Sequence, residues 1–198
     1  MSSDSSATRD TILEAGLRIL AEEGHDALTV RRVATEAGCS TIGVYTWFGG
    51  KDGLIDAIWQ AGFTSFADAL LAARASKGPL GRLRGQARAY RRWALAHPMH
   101  YSVMFLKAIP GFVPSDESAA IGLRAYLALR DLVVDGLAKG ELRAGDPDAI
   151  ALVFWGGVHG LMSLEVIGGA TAAGPYSGQL SAKTYRMMVD VLARGLAP

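Results

Sequence analysis

The chain has 198 residues, half of them apolar, and its formal net charge is only +1. This length suits one ordinary domain, or a small domain joined to a larger one, and the composition predicts a packed globular core. The single cysteine, Cys39, excludes an intramolecular disulfide and any metal site built from several cysteines. Residues 1–60 carry five basic and nine acidic side chains, so bulk charge gives no basic signature of nucleic-acid binding.

Neither the start of the chain nor its least polar stretch is typical of a membrane protein. Residues 1–6 lack the basic region and the apolar region that mark a signal peptide. Residues 149–164 carry no formal charge, but Asp148 and Glu165 close this run before the roughly 20 residues that a membrane-spanning helix needs. We therefore expect a soluble cytoplasmic protein, with a membrane span as the alternative for this one stretch.

Helical periodicity predicts three helices of roughly 16, 8 and 8 residues in the first part of the chain. Apolar residues recur on one helical face over residues 12–20. Thr29 and Ser40 are candidate N-caps of the second and third helices, and Gly38 separates these two helices. Gly49 and the glycine after it end the third helix.

The remainder of the chain predicts further helices and contains no alternating strand pattern. A long helix begins near residues 51–52, and a helix with an arginine-rich face, interpreted as solvated, follows after a Gly-Pro break. An all-α fold of about nine helices is therefore expected. The later segments are predicted at residues 80–97, 100–106, 116–138, 147–168 and 180–196.

The second and third helices have the ingredients of a helix-turn-helix. In this motif the second helix must be slim enough to enter the major groove, with its first residues at the base edges. Ser40, Thr41 and Gly43 are small enough for that position, while Ile42 and Phe48 are expected to anchor the helix in the core. Other candidates for DNA contact are Thr29, Arg31, Arg32, Tyr45, Thr46, Trp47 and Lys51, some of which have alternative roles in capping or packing.

These residues resemble the DNA-binding domain of the TetR family of repressors. The similarity lies in the spacing of LTVRRVATEAGCS at residues 28–40, GVYTWF at residues 43–48 and KDGL at residues 51–54. Trp47 departs from the pattern, which usually has histidine there, and Gly49-Gly50 replace bulkier residues. The resemblance implies a helix-turn-helix domain at residues 1–56. It also implies a larger helical domain for ligand binding and dimerisation at residues 57–198.

The second part of the chain is similar to a TetR subclass whose C-terminal domain carries a Trp…His-Gly signature. Trp155, His159 and Gly160 supply that signature here. Glycines are costly inside a helix, and their presence favours close approach to another helix across a dimer or beside a ligand. We expect the helices at residues 147–168 and 180–196 to pair with their copies, giving a homodimer that binds a palindromic operator in double-stranded DNA.

A set of aromatic, methionine and histidine side chains has two interpretations. Such residues belong to the core by default, but pockets for small molecules are also apolar and contain few polar groups. We expect some of them to bind a small, largely apolar effector that releases the protein from DNA. The candidates are Phe63, Phe66, Trp93, Tyr101, Met104, Phe105, Tyr126, Trp155, His159 and Met162.

Two other functions compete with a dimeric, ligand-released repressor. One is a helical binding or adaptor protein with a vestigial helix-turn-helix, which the acidic balance of residues 1–60 supports. The other is an enzyme that uses His159, although no set of nucleophile, base and orienting residue can be assembled from spacing. We expect neither a cofactor nor a metal, because none of the four histidines pair at the i, i+4 spacing of a metal-binding helix.

Overall fold

The computed structural model describes residues 2–73, 78–107, 109–170 and 181–198, with side chains described from residue 8 and not at residues 168–170. Over these ranges the chain contains nine α-helices and no strand, which confirms the predicted all-α class. A π-helical turn, Ser102–Leu106, directly follows α6. The helices are α1 Ser2–Glu22, α2 Val30–Glu36, α3 Thr41–Phe48, α4 Lys51–Ala72, α5 Pro79–Ala96, α6 Pro98–Tyr101, α7 Asp116–Ala138, α8 Pro147–Ala170 and α9 Ala182–Gly195.

The predicted helix boundaries differ from the observed ones mainly at two ends. Helix α1 begins at Ser2, which the sequence did not predict because serine favours caps and turns over helix interiors. Helix α8 continues to Ala170, past the two glycines at which it was expected to end. The expected start of the last helix, Leu180, and the Gly-rich segment before it lie outside the described residues.

The chain divides into two compact units that interleave in sequence. Unit 1 comprises Met1–Thr64 and His97–Gly122, and unit 2 comprises Ser65–Ala96 and Leu123–Pro198. Unit 1 packs α1, α2, α3 and the start of α4 around one apolar core, to which Val103 of the π-helical turn also belongs. The predicted domain boundary after residue 56 stays a prediction.

Unit 2 is built around the apolar face of α5. This face follows helical spacing and packs against α8 and α9. The hydroxyl of Tyr185 on α9 donates a hydrogen bond to the carbonyl of Ala87 on α5 at 2.7 Å. The buried residues that form this core include Leu83, Tyr90, Trp93, Leu132, Val133, Phe154, Val158, Met162, Tyr185 and Val189.

Three arginines of α5 are paired rather than solvated, which corrects the expectation from sequence. Arg82 contacts Asp135 on α7 at 2.5 Å, and Arg84 contacts Asp190 on α9 at 2.8 Å. The guanidinium of Arg91 forms two hydrogen bonds to the carboxylate of Glu165 on α8. The solvated interpretation was wrong because the acidic partners lie far away in sequence and meet α5 only in the fold.

We expect the substitution Glu165→Ala to destabilise the protein by about 2 kcal/mol, because it leaves a partly buried guanidinium without its bidentate partner. The side chains of Arg91 and Glu165 are only 23% and 13% exposed, so solvent screens this pair weakly. The matched control is Asp68→Ala, which removes an exposed, 3.4 Å pair with Arg124 and should cost under about 0.5 kcal/mol. Urea denaturation measures the free energy of unfolding of both variants. Equal losses in the two variants would contradict the prediction.

Candidate DNA-binding surface

The two predicted N-caps form at the starts of α2 and α3. The Thr29 hydroxyl accepts a hydrogen bond from the backbone N–H of Arg32 at 3.1 Å. The Ser40 hydroxyl accepts one from the N–H of Gly43 at 3.2 Å. Gly38 lies between the helices with a φ of +64°, a conformation that favours glycine, so the tight turn of a helix-turn-helix is present. Local sequence alone therefore fixes where both helices begin.

Helix α3 buries one face and exposes the other. Its buried residues are Val44 and Phe48, which are four positions apart and pack into the core of unit 1. Ile42 is 74% exposed, so the expectation that it anchors the helix in the core was wrong. The reason is geometric, because Ile42 lies about 160° around the helix from Val44.

The exposed face of α3 carries most of the predicted base-contacting residues. Thr41, Tyr45, Thr46 and Trp47 are all exposed, although Trp47 retains only 39% of its accessible surface. The hydroxyl of Thr46 donates a hydrogen bond to the carbonyl of Ile42 at 2.8 Å. The face is therefore a mixture of hydroxyl, methyl and aromatic groups.

The ring of Tyr45 lies against the turn that joins α3 to α4. A Cβ atom at Gly50 would lie 3.4 Å from the ring of Tyr45. Gly50 has a φ of +131°, so it combines a backbone conformation that disfavours side chains with a close ring contact. The Tyr45 side chain nevertheless remains 58% exposed, which leaves it available at the surface.

The predicted basic contacts differ in how they are held. Arg31 is exposed, whereas Arg32 forms a 2.9 Å ion pair with Glu23 at the end of the first helix. Lys51, at the start of α4, donates a hydrogen bond from Nζ to the carbonyl of His25 at 2.8 Å. An ammonium has three donors, so this bond positions Lys51 and leaves two donors for a phosphate.

The candidate effector residues fall in both units. In unit 1, Phe63 contacts Phe105 at a ring separation of 5.3 Å, and Tyr101 contacts Phe105 at 5.1 Å. Met104 lies beside the backbone of Gly62, where a Cβ would approach its sulfur to 2.6 Å. These four candidates therefore pack together as part of unit 1.

The remaining candidates belong to unit 2, where His159 forms part of a short polar chain. The Tyr90 hydroxyl lies 2.8 Å from Nδ1 of His159, and the Ser163 hydroxyl lies 3.4 Å from Nε2. The ring of Trp155 stacks on His159 at 5.0 Å. Tyr90 and Ser163 were missed as site residues, since nothing in the sequence links Tyr90 to a histidine 69 residues away.

The other unit 2 candidates pack at varying depth. Phe66 meets the rings of Tyr90 and Trp93 at 4.9 and 5.0 Å, and the indole N–H of Trp93 donates to the hydroxyl of Ser65. Met162 is fully buried. The hydroxyl of Tyr126 on α7 donates to the carbonyl of Asp148 on α8 at 3.5 Å.

We expect the protein to lose stability as the pH falls through about 6.5. Burial lowers the pKa of His159 from its ordinary value of 6.5. Burial, and secondly the charge of His97, lower the pKa of His100. The unfolded chain therefore binds more protons than the folded chain in this range, so acidification favours unfolding. Thermal unfolding between pH 7.5 and 5.5 should show the loss, and His159→Gln should reduce its slope. An unchanged slope in that variant would refute the assignment to His159.

Sequence comparison decides which proteins share this architecture. A sequence model described as bacterial regulatory proteins of the tetR family matches residues 12–58. A second, described as the C-terminal domain of tetracyclin repressor-like proteins, matches residues 83–193, more than half of the chain. The chain belongs to the TetR family. It is a DNA-binding transcriptional regulator, and α2 and α3 are its helix-turn-helix.

Individual relatives agree with this assignment over nearly the whole chain. The HTH-type transcriptional regulator Rv1816 of Mycobacterium tuberculosis is 27% identical over an alignment that covers 92% of this chain and 91% of its own. A solved protein of unknown function from Rhodococcus sp. RHA1 is 28% identical, with a TM-score of 0.77 and 96% of each chain covered. A TetR family transcription regulator from Marinobacter aquaeolei VT8 shares the fold, with a TM-score of 0.79, 19% identity, and 100% and 99% of the chains covered.

Family membership excludes both competing functions, the enzyme and the adaptor protein with a vestigial helix-turn-helix. TetR proteins are regulators rather than enzymes, so His159 has no catalytic role to explain. The helix-turn-helix is matched by its own sequence model and is not a vestige. The Trp…His-Gly subclass stays a prediction, although its Trp155 and His159 do stack on one another.

Proposed function

We propose that this TetR protein is a homodimeric repressor in the cytoplasm. It binds a palindromic operator in double-stranded DNA and leaves it when a small, largely apolar effector binds. The uncovered apolar face of α8 and α9 is the observation that carries the proposal. The proposal also includes the predicted DNA contacts of α2, α3 and Lys51 and an effector site in unit 2.

The dimer surface is defined here as the exposed apolar residues of α8 and α9. Only 22% of the most apolar stretch of α8, within Pro147–Ile167, is buried inside the subunit. In the part of the chain that the structure describes, a Cβ at position 156 or 160 would meet no other atom within 4 Å, whereas Gly157 packs tightly against Leu192 of α9. The surface comprises Leu152, Val153, Gly156, Gly160, Leu164, Ile167, Met187 and Val191, of which the large residues are 47–65% exposed.

A second copy of the chain is the occupant that this surface favours. Length and composition alone would let α8 cross a membrane, but a core helix of a soluble protein passes the same test. On the opposite side of α8, Glu165 forms a charged pair with Arg91 of α5, and His159, at the edge of the apolar surface, contacts Tyr90 of α5. A helix packed on polar partners on one side, with an apolar surface on the other, supports a four-helix interface between two copies.

A two-fold dimer presents two copies of α3 to one DNA duplex. Recognition helices that enter the same face of the duplex must be spaced by about 34–36 Å or a multiple of it. The protein lacks a bulk positive charge, so phosphate contacts must come from Arg31, Arg32 and Lys51 and from capped helix ends. Affinity then depends on both half-sites being bound together, because each helix contributes few contacts.

The effector site is proposed around Tyr90 and His159 in unit 2. A polar chain within an aromatic cluster offers a few oriented hydrogen bonds inside an apolar lining, which is typical of small-molecule sites. Binding there releases the operator if the effector prefers the conformation that cannot bind DNA. The substitution Tyr90→Phe keeps the ring and removes one hydroxyl, so it should weaken the effector response while operator binding persists.

In vitro selection of DNA with the purified full-length protein tests the repressor proposal. We expect the selected sequences to be palindromes and sedimentation to show two subunits on one duplex. A thermal-shift screen of small apolar acids, alcohols and aromatic compounds then identifies stabilising compounds, which are tested for release of that DNA. Selection of one half-site by a monomer would refute the dimer, and compounds that stabilise the protein but tighten DNA binding would refute ligand release.

A further inference from the structure

Ile42 is the most exposed large apolar residue of α3. Its side chain is 74% exposed, compared with 58% for Tyr45 and 39% for Trp47. The core of unit 1 does not use it, since α3 is anchored through Val44 and Phe48. Exposing an isoleucine to water is unfavourable. A partner that covers this side chain on binding therefore makes the free energy of binding more favourable.

The position of Ile42 matches the part of a recognition helix that approaches the bases. It is the second residue of α3, directly after Thr41, and the first residues of a recognition helix lie nearest the base edges. Counting 100° per residue, Tyr45 and Thr46 flank it at about 60° and 40° on either side. Ile42 is therefore at the centre of the exposed face.

The chemistry of this face leaves Ile42 one kind of partner on DNA. In the major groove the bases present hydrogen-bond donors and acceptors, and the C5 methyl of thymine is the apolar group among them. The Thr46 hydroxyl already donates to the carbonyl of Ile42, so its donor is used within the helix. Ile42 and the methyl of Thr46 together offer an apolar surface to the groove.

We infer that Ile42 is a specificity-determining residue that contacts the methyl group of a thymine in each operator half-site. The inference rests on the proposed entry of α3 into the major groove. Gly43, the next residue, has no side chain to hold the helix away from the bases. Of the described residues of its own subunit, a Cβ there would meet only Cys39 and Ser40, at 3.8 Å, so this packing does not demand glycine.

Replacing thymine by deoxyuridine tests the contact, because this change removes the methyl and keeps every hydrogen-bonding group. The full-length protein is first used to select its operator, and each thymine position is then replaced symmetrically in both half-sites. One such pair of replacements should weaken wild-type binding about 15-fold, which corresponds to the burial of one methyl in each half-site. Ile42→Ala should bind the thymine and deoxyuridine operators equally well.

Thr41→Ala is the matched control, since Thr41 lies in the same turn and is exposed but has a hydroxyl to offer the bases. This variant should keep the wild-type preference for thymine over deoxyuridine. Selection that yields no sequence overturns the repressor proposal together with this inference. A selected operator whose deoxyuridine forms all bind wild-type protein normally overturns the thymine contact alone. A change of oligomeric state in Ile42→Ala also overturns it, because Ile42 would then contact protein.

Discussion

Replacing Gly53 with alanine should destabilise the protein by about 3 kcal/mol and abolish operator binding, because the new methyl collides with backbone. A Cβ at this position would lie 1.9 Å from the carbonyl oxygen of Phe48, at the end of the recognition helix. Neither the oxygen nor the backbone around it can rotate away as a side chain could. The turn between α3 and α4 must therefore shift, and both the recognition helix and Lys51 move with it.

A comparison with Gly43→Ala separates loss of folding from loss of DNA contact. The Cβ of that variant meets its nearest described neighbours at 3.8 Å, an ordinary contact, and alanine is favoured over glycine in helices by about 1 kcal/mol. We expect Gly43→Ala to be as stable as the wild type or more stable, yet to bind the operator at least about tenfold more weakly. Circular dichroism during urea denaturation and gel-shift titration measure the two properties. Wild-type stability in Gly53→Ala would contradict the first prediction.

The substitution Leu152→Glu should convert the proposed dimer to monomers and weaken operator binding by at least about 100-fold, since half-sites are then bound one at a time. Leu152 is 56% exposed on α8, so a charge there is tolerated by the isolated subunit but not by an apolar interface. Analytical ultracentrifugation measures the assembly, and gel shift measures the affinity. The matched control is Leu123→Glu, a leucine on α7 with 52% exposure, which should leave both unchanged.

Gly156→Ala provides a second, subtler test of the same surface. Among the described residues of one subunit its Cβ would meet nothing within 4 Å, so helix propensity alone predicts a gain of about 1 kcal/mol. If a second copy approaches closely there, the added methyl should instead raise the dimer dissociation constant by about tenfold. A more stable variant with unaltered self-association would exclude Gly156 from the interface.

The helix pattern and the two caps could be predicted because both depend on residues close in sequence. A threonine or serine before an apolar stripe starts a helix wherever that stripe finds a core, as Thr29 and Ser40 do. The segments after residue 51 were located in the same way, from apolar periodicity and glycine or proline breaks. DNA binding was inferred from the resemblance to the TetR family, because the weak overall charge did not indicate it.

The orientation of α3 was less accessible, because apolar residues lie all around this eight-residue helix. With Ile42, Val44 and Phe48 as alternatives, periodicity does not decide which ones face the core. Contacts between distant segments were also out of reach. Arg91 and Glu165 are 74 residues apart, so only the fold reveals that an arginine interpreted as solvated is half of an ion pair.

The contact between Tyr45 and Gly50 has a consequence for the entropy of DNA binding. Because the ring already rests on the turn after α3, the side chain has fewer conformations to lose in the proposed contact with the duplex. Fixing one mobile side chain at an interface costs about 0.5–1.5 kcal/mol, and the proposed dimer would fix two tyrosines. Part of the ordering that recognition requires has therefore been completed during folding.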